Sequence, residues 1–500
     1  MPDSQWVSCS CRRTGNSTSV KRRCSLKAVF YPQDDFFRLV LVSPYTRRVF
    51  AEDRGNELGF PLISVPRWSR AALGLQAAIK DRFAIDVVIV DILEDSPERE
   101  KIAMCVTFDQ GSEGKLSCMN RWVSLADVAT DELLCTEYKY IERLVCLGMT
   151  GRGPLARIGW FDDVAEWVGE KTNLEPSHLR ASFEQYNMTP VSALIHFHAS
   201  SRNGYWFKAD KESLRGEFRI TAALSALFPE HLPRIVALRG EWGAWLTEDA
   251  GEPLDQKTPI SCRRAEEIVR SLAELQMKSI QHVDALLGSG CVDQRLSKIS
   301  DGVCSLSPYL REAIDAGGLI DPSAVSEKRL REIIGRVDDA CSALDSVGVP
   351  DVLIHNHLNL GNILLGKRGC VFIDWANSGI GNPLVGFGQL CPQLAAQRTT
   401  GLRRPQLAKS YMKRWASIVD PHRLIQAFDF VPLVALASHL YARKDWVLTD
   451  RRHRVEAQRS LISIIEDMDR AARELEMRQA KSLSKRPLRQ LRECERQGAA

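Results

Sequence analysis

The sequence has no apolar run near the roughly 18 residues that a membrane-spanning helix needs. Its richest apolar stretch, residues 430–437, is short and contains Pro432, so we expect a buried helix there. Residues 1–24 carry cationic side chains with no apolar segment after them, which is not the pattern of a secretory signal. We therefore expect a cytoplasmic protein without a membrane partner.

An excess of charge of one sign is also missing, because 67 basic residues face 63 acidic ones and leave a net charge of +4. A dedicated nucleic-acid-binding protein needs a more basic surface, so we expect no nucleic-acid partner. Hydrophobic residues make up 44% and charged residues 26% of the 500 residues, as in folded globular proteins. A chain of this length has room for two to four domains.

The 14 cysteines are scattered along the chain and do not form the dense pattern of a disulfide framework. We expect free thiols, many of them buried. Cys9, Cys11 and Cys24 lie near the N-terminus, but no second pair follows at the spacing of a zinc finger. A metal site at these three residues is left as an alternative.

The first third of the sequence predicts a tail, a small domain and a connector. Residues 1–30 are basic and lack periodicity, so we expect a disordered tail. Apolar runs predict strands at 36–42, 48–52, 86–93 and 101–108, and a helical pattern covers 68–83. Residues 31–145 should then form a small α/β domain, followed by a helical connector at 146–180.

This order of elements resembles a Nudix-type fold. In that family the helix carries several glutamates that bind metal-bridged diphosphate. Here the helix offers Lys80, Asp81 and Arg82, with alanines at 77 and 78. One acidic side chain cannot assemble such a cation site. The resemblance therefore implies a module without catalytic activity.

The rest of the sequence predicts an asymmetric pair of lobes. Strands are expected at 182–185, 191–198, 205–209, 235–238 and 244–248, with one helix at 215–228. The dipeptide Asn203-Gly204 is a strong hairpin signal. After a small lobe at 181–250, residues 251–476 are mostly helical, and 477–500 form a basic tail. The predicted fold class is α+β, with a small antiparallel sheet lobe and a large helical lobe after a smaller α/β domain.

Residues 352–384 carry the most informative pattern. Two apolar runs flank a polar loop that begins at His355 and includes Asn362, and Asp374 follows the second run. An amide and a carboxylate at neighbouring strand ends can converge on one hard cation, which prefers oxygen ligands. Phosphoryl transfer needs such a pair, because the metal ion neutralises the phosphate oxygens.

These residues resemble the aminoglycoside phosphotransferase and choline kinase-like family, which shares the protein kinase fold. The family's loop His-Gly-Asp-x-x-x-x-Asn matches His355-Asn356-His357 through Asn362, and its Ile-Asp-Trp motif matches Ile373-Asp374-Trp375. The resemblance implies an ATP-dependent small-molecule phosphotransferase. It implies that Asn362 and Asp374 hold Mg²⁺ and that His357 stands at the catalytic aspartate position.

The resemblance extends to the small lobe and covers about residues 180–470. It implies that Lys208 holds the nucleotide phosphates and that Glu217 pairs with Lys208. It also implies that the backbone around Glu248 and Ala250 meets adenine. The acceptor would be a small molecule with hydroxyl or amino groups.

Two departures from the family pattern support an alternative. The segment 186–190, expected to cover the phosphates, has no glycine, although glycine lets backbone amides approach phosphate closely. His357 can accept a proton but brings no negative charge. The alternative is a pseudokinase that binds nucleotide or acts as a scaffold without phosphotransfer.

His196 and His198, like His355 and His357, are two residues apart, so each pair could share a strand face and bind a transition metal.

Overall fold

The computed structural model describes residues 34–442 and 461–480, with short gaps at 56, 68–69, 95–99, 109–119, 132, 201–202, 211–215, 255–258, 317–324, 367–368 and 398–400. The predicted tail at 1–30 and residues 481–500 of the tail predicted at 477–500 lie outside the described residues. The last helix continues to residue 480, past the expected end of the large lobe at 476.

The first part of the chain forms a seven-stranded mixed sheet with two helices. Its elements are β1 (Asp34–Val42), β2 (Val49–Asp53), β3 (Leu58–Gly59), β4 (Leu62–Pro66), α1 (Ala71–Phe83), β5 (Val87–Leu93), β6 (Lys101–Thr107), β7 (Asn120–Val123) and α2 (Cys135–Leu147). β1 runs parallel to β6 and antiparallel to β2 and β4. The predicted strands and helix of this region are confirmed, with ends shifted by at most three residues.

The small lobe is a five-stranded antiparallel sheet in the order β11-β12-β10-β9-β8. Its elements, with the two helices that precede them, are α3 (Trp160–Thr172), α4 (Pro176–Ala181), β8 (Phe183–Met188), β9 (Ser192–Ser200), β10 (Asn203–Asp210), α5 (Glu217–Leu227), β11 (Ile235–Arg239) and β12 (Ala244–Glu248). The predicted strands and the helix after β10 are confirmed.

The predicted hairpin between β9 and β10 exists, but Asn203-Gly204 is not its turn. Asn203 pairs with Ser200, and both predicted turn residues belong to β10. Gly204 has a different reason to be glycine. A Cβ built there would lie 2.4 Å from His196 Nε2 and 2.9 Å from the Phe197 carbonyl.

The first sheet and the small lobe share one hydrophobic core. Helix α3 contributes Trp160 and Phe161, which pack in the same cluster as Phe37 of β1 and Phe197 of β9. Gln185 of β8 is fully buried and bonds the backbone of β5 twice, accepting from Ile89 N–H and donating to the Ile89 carbonyl, each at 2.9 Å. The two sheets are therefore joined by side-chain packing and by a hydrogen-bonded glutamine.

The large lobe is mainly helical. Its elements are α6 (Cys262–Ser279), α7 (Val283–Ser289), β13 (Val292–Gln294), α8 (Leu296–Ala316), α9 (Glu327–Asp345), β14 (Val352–Ile354), β15 (Ile363–Gly366), β16 (Gly369–Phe372), β17 (Gly379–Gly381), α10 (Pro383–Ala396), α11 (Arg404–Trp415), α12 (Pro421–Ala427), α13 (Val431–Ala442) and α14 (461–480). The short sheet β13-β17-β14 packs within this lobe. The buried helix predicted at 430–437 is confirmed as part of α13.

Within the described ranges, no single helix is long and apolar enough to cross a membrane. Helices α12 and α13 pass that test of length and composition only as a pair, which is bent by 67°.

Among the described residues, nine cysteines have free thiols, and five of these are buried. Cys9, Cys11 and Cys24 lie outside the described residues.

Candidate active site

The hairpin β15–β16 brings the predicted amide and carboxylate to one end. Ile363 pairs with Phe372, and Ile373 N–H donates to the Asn362 carbonyl at 3.1 Å. Asn362 therefore immediately precedes one strand, and Asp374 follows the other by two residues. Both side chains reach the same neighbour, His357.

The loop before Asn362 is held by buried polar contacts. Asn356 has a φ of +59°, and its Nδ2 donates to the Asn377 carbonyl at 2.7 Å and to Gln294 Oε1. This left-handed residue turns the chain after β14, so His355 and His357 do not share a strand face, and that part of the prediction is wrong. Burial lowers the pKa of His355 to about 4, so its neutral ring donates from Nε2 to the Ile373 carbonyl at 2.8 Å.

Asp374 lies at the centre of the site. Its φ of +68° is a conformation that aspartate tolerates better than most residues. Oδ1 lies 3.0 Å from Lys208 Nζ and Oδ2 lies 3.3 Å from His357 Nδ1. Burial alone would raise the pKa of Asp374, but the His357 hydrogen bond and the Lys208 charge outweigh it and hold that pKa well below its usual range. The carboxylate is therefore ionised at neutral pH.

Lys208 links the two lobes. Its Nζ donates to Glu217 Oε1 at 2.7 Å as well as to Asp374, so one ammonium joins β10, α5 and the end of β16. Burial opposes the charge of Lys208, yet the two carboxylates together raise its pKa. Glu217 is 2% exposed at the first turn of α5, where the helix dipole favours a negative charge. Burial raises the pKa of Glu217 against the opposing effect of Lys208.

Glu248 and Ala250 lie on the linker between the lobes. Glu248 N–H donates to the Arg234 carbonyl at 3.0 Å, and its carboxylate pairs with the Arg234 guanidinium. The Ala250 carbonyl runs close to β15, since a Cβ built at Gly366 would lie 2.6 Å from it. The linker thus passes along the hairpin that carries Asn362.

The segment expected to cover the phosphates is mostly strand. Residues 186–188 belong to β8, and the turn to β9 is closed by Thr189 N–H donating to the Ser192 carbonyl at 2.8 Å. Arg70, at the start of α1, donates to Asn187 Oδ1 at 3.3 Å. Burial lowers the pKa of Arg70, and the negative charge of Asp374 works against this effect. Sequence reasoning missed Arg70, because it lies in a different part of the chain and in no motif.

The donor atoms of the site fit Mg²⁺, which prefers oxygen ligands. Asp374 has two carboxylate oxygens. The amide nitrogen of Asn362 donates to the His357 carbonyl at 2.8 Å, so its oxygen is the atom suited to a cation. The His357 imidazole adds a nitrogen, which Mg²⁺ does not favour. A cation bound by Asp374 would have to compete with Lys208 and His357 for the carboxylate oxygens.

The sequence model of the phosphotransferase enzyme family (APH) matches residues 207–424, the segment that contains Lys208, Glu217, Asn362 and Asp374. No curated protein matches the chain. The structure is similar to Plasmodium vivax ethanolamine kinase, with 12% identity over 63% of this chain and 87% of that one and a TM-score of 0.45. It is also similar to choline kinase from Cryptosporidium parvum Iowa II, with 12% identity over 62% of this chain and 95% of that one and a TM-score of 0.44. A third similar structure is ADP-bound aminoglycoside phosphotransferase APH(2'')-Ib, with 13% identity over 61% of this chain and 98% of that one and a TM-score of 0.39.

Residues 207–424, less than half of the chain, therefore match the phosphotransferase enzyme family. The antiparallel small lobe and the helical large lobe have a protein kinase-like fold, and the predicted α+β class is confirmed.

Proposed function

We propose that this chain is an ATP-dependent small-molecule phosphotransferase that binds Mg-ATP between its two lobes. The observation that carries the proposal is the ammonium of Lys208, held at 2.7 Å from Glu217 and 3.0 Å from Asp374. A partly buried ion pair of this kind fixes a positive charge at the cleft, where the phosphates of a nucleotide would bind. Asn362 and Asp374 would hold Mg²⁺, which supplies positive charge to the phosphate oxygens.

In this proposal His357 is the general base. Its Nδ1 faces Asp374 Oδ2 at 3.3 Å, and its side chain is 37% exposed, so Nε2 is accessible to an acceptor. A base that a carboxylate orients through one ring nitrogen is a known arrangement for activating a hydroxyl group. The acceptor oxygen would form a bond to the γ-phosphorus while the bond to ADP breaks, and its proton would pass to Nε2.

Arg70 would contribute to phosphate binding from the first part of the chain. The segment 186–190 lacks the glycines that bring backbone amides close to phosphate. The guanidinium of Arg70 donates to Asn187 in this same segment and lies within the electrostatic influence of Asp374. An arginine binds phosphate oxygens through paired N–H groups and could replace those amides.

A second candidate is a nucleotide-binding protein without transfer activity. It is favoured by Asp374, whose two oxygens are engaged by Lys208 and His357. If Lys208 keeps Oδ1 while His357 keeps Oδ2, neither oxygen is left for Mg²⁺, and the site would bind ATP without aligning it for transfer. The Nudix-like character of residues 31–145 and a cytoplasmic location also remain proposals.

Calorimetry with ATP, with and without Mg²⁺, tests the nucleotide site. We expect wild type to bind ATP more tightly with Mg²⁺ and Asp374→Asn to lose that difference, because the variant removes the ionised ligand while asparagine still tolerates the φ of +68°. An unchanged effect of Mg²⁺ in Asp374→Asn would refute the metal assignment.

Measuring ADP release distinguishes the enzyme from the second candidate. The assay uses a panel of amino-alcohol and aminoglycoside acceptors, the classes named for the similar structures.

A further inference from the structure

Three side chains that can bind metal meet on the small lobe, and they include neither Asn362 nor Asp374. They are Glu184 of β8 and His196 and His198 of β9. Glu184 Oε2 lies 3.6 Å from His198 Nε2 and 4.0 Å from His196 Nδ1. One ligand atom from each of the three residues can be chosen so that all lie within 4.8 Å of one another.

Strand register explains why the three residues share a face. Glu184 pairs directly with His196 across β8 and β9, and His198 is two residues further along β9. Ile195 and Phe197, which alternate with the histidines, are fully buried on the opposite face in the core shared with the first sheet. The sequence indicated the pairing of the two histidines, but it could not indicate Glu184 because its proximity depends on register.

The separations are wrong for direct hydrogen bonds and right for a shared ion. Nitrogen–oxygen distances of 3.6 and 4.0 Å exceed the range of a good hydrogen bond. A transition metal about 2.0–2.2 Å from each nitrogen or oxygen ligand holds those ligands roughly 3.3–4 Å apart. The cluster therefore needs little movement to receive a cation.

The surroundings of His196 are those of a metal ligand. Its ring stacks on Trp206, with centroids 4.4 Å apart and planes at 15°. Its Nε2 is buried, has no hydrogen-bond partner among the described residues, and lies 3.8 Å from Asp249 Oδ2. Metal-binding histidines commonly direct their second nitrogen towards a carboxylate in this way. Tyr186 donates to Glu184 Oε2 at 3.0 Å and orients the third ligand.

We propose that Glu184, His196 and His198 form a binding site for Zn²⁺ or a similar divalent transition metal. Two imidazoles and a carboxylate suit Zn²⁺ better than Mg²⁺ and leave a fourth position for water. The site lies on the face of the small lobe that also carries Trp206 and Lys208, since Trp206 pairs with His196 and Lys208 is two residues further along β10. It is separate from the Asn362 and Asp374 pair and does not depend on the proposed phosphotransfer.

The test is titration of the full-length chain with Zn²⁺ by calorimetry and with Co²⁺ by visible absorption. The protein would carry Cys9→Ser, Cys11→Ser and Cys24→Ser, which remove the alternative N-terminal ligands. We expect one bound Zn²⁺ and Co²⁺ bands typical of nitrogen and oxygen coordination. Glu184→Gln and His198→Gln should each weaken Zn²⁺ binding by about 10-fold or more, since each removes one of three ligands.

Two matched variants make the result specific. His422→Gln replaces an exposed histidine on α12 and should leave the affinity unchanged. Asp374→Asn removes the other candidate cation ligand and should also leave it unchanged. Glu184 and His198 have side chains that are 41% and 40% exposed, so circular dichroism should show folded variants. Equal Zn²⁺ affinity in wild type and His198→Gln, or loss of binding in Asp374→Asn, would overturn the proposal.

Discussion

At the scale of single residues, the site depends on charges that stabilise one another against the cost of burial. Lys208 keeps its proton because Glu217 and Asp374 offset the cost of its burial. Asp374 stays ionised because Lys208 and His357 both stabilise its negative charge. Each of these side chains therefore depends on the others, and replacing one changes the charge state or position of its neighbours.

Replacing Lys208 tests its assignment to phosphates. Lys208→Met keeps much of the side-chain length but removes the ammonium, so we expect ATP binding to weaken by about tenfold or more while AMP binding changes little. The reason is that the ammonium would contact phosphates that AMP lacks. Calorimetry with both nucleotides gives the comparison, and Lys278→Met on the surface of α6 is the control. Equal weakening of ATP and AMP would contradict the assignment.

Sequence motifs identify some of these residues better than others. Asn362 and Asp374 follow a spaced pattern within one hairpin, so local sequence is enough to bring them together. Lys208 and Glu217 lie close in sequence on consecutive elements. Arg70 and Glu184 act through neighbours far away in the chain or across strands, and no local pattern reveals such neighbours.

At the scale of elements, strand β8 joins two sheets. Glu184 lies on the face of β8 that points away from the shared core. The buried side chain of Gln185 bonds both the N–H and the carbonyl of Ile89, as the backbone of a neighbouring strand would. The backbone N–H of Gln185 also donates a hydrogen bond to Gln76 Oε1 of α1, at 3.0 Å. These contacts tie the small lobe to β5 and α1 of the first sheet.

Replacing Gln185 should destabilise this junction. Gln185→Leu conserves volume but leaves two buried backbone groups of Ile89 unsatisfied, each costing about 1–3 kcal/mol. We expect the free energy of unfolding to fall by about 2–5 kcal/mol, measured by urea denaturation followed by tryptophan fluorescence. Gln281→Leu, at an exposed position, should change it by about 0.5 kcal/mol or less. A loss in Gln185→Leu no larger than in this control would contradict the role of the junction.

The elements were predictable where hydrophobic pattern and turn chemistry agree. The strand at 244–248 has the predicted bounds, and the helix before Pro229 ends where a proline predicts. β13 and β17 were missed, because three-residue strands are too short to show alternation. Asn203-Gly204 was assigned to the turn because the dipeptide suits turns, whereas Gly204 is needed for the close approach of His196.

At the scale of the whole molecule, the first sheet (β1–β7) packs against the small lobe of the kinase-like part. This sheet, α3 and the small lobe share one core, so the small lobe is covered on the face opposite the cleft. The sequence predicted the kinase-like lobes from motifs. It could not predict this packing, because apolar strand residues indicate burial but not the surface that buries them.

The central claim is that His357 acts as the base in a working phosphotransferase. The most direct measurement is Mg²⁺-dependent ADP release by the full-length protein with the acceptor panel, for wild type, His357→Gln and His357→Asp. We expect wild type to turn over and His357→Gln to lose about 10²–10⁴-fold in kcat with unchanged ATP affinity, because glutamine can still bond Asp374 but cannot accept the proton. Binding of ATP without turnover in wild type, together with activity gained in His357→Asp, would contradict the claim and favour a pseudokinase.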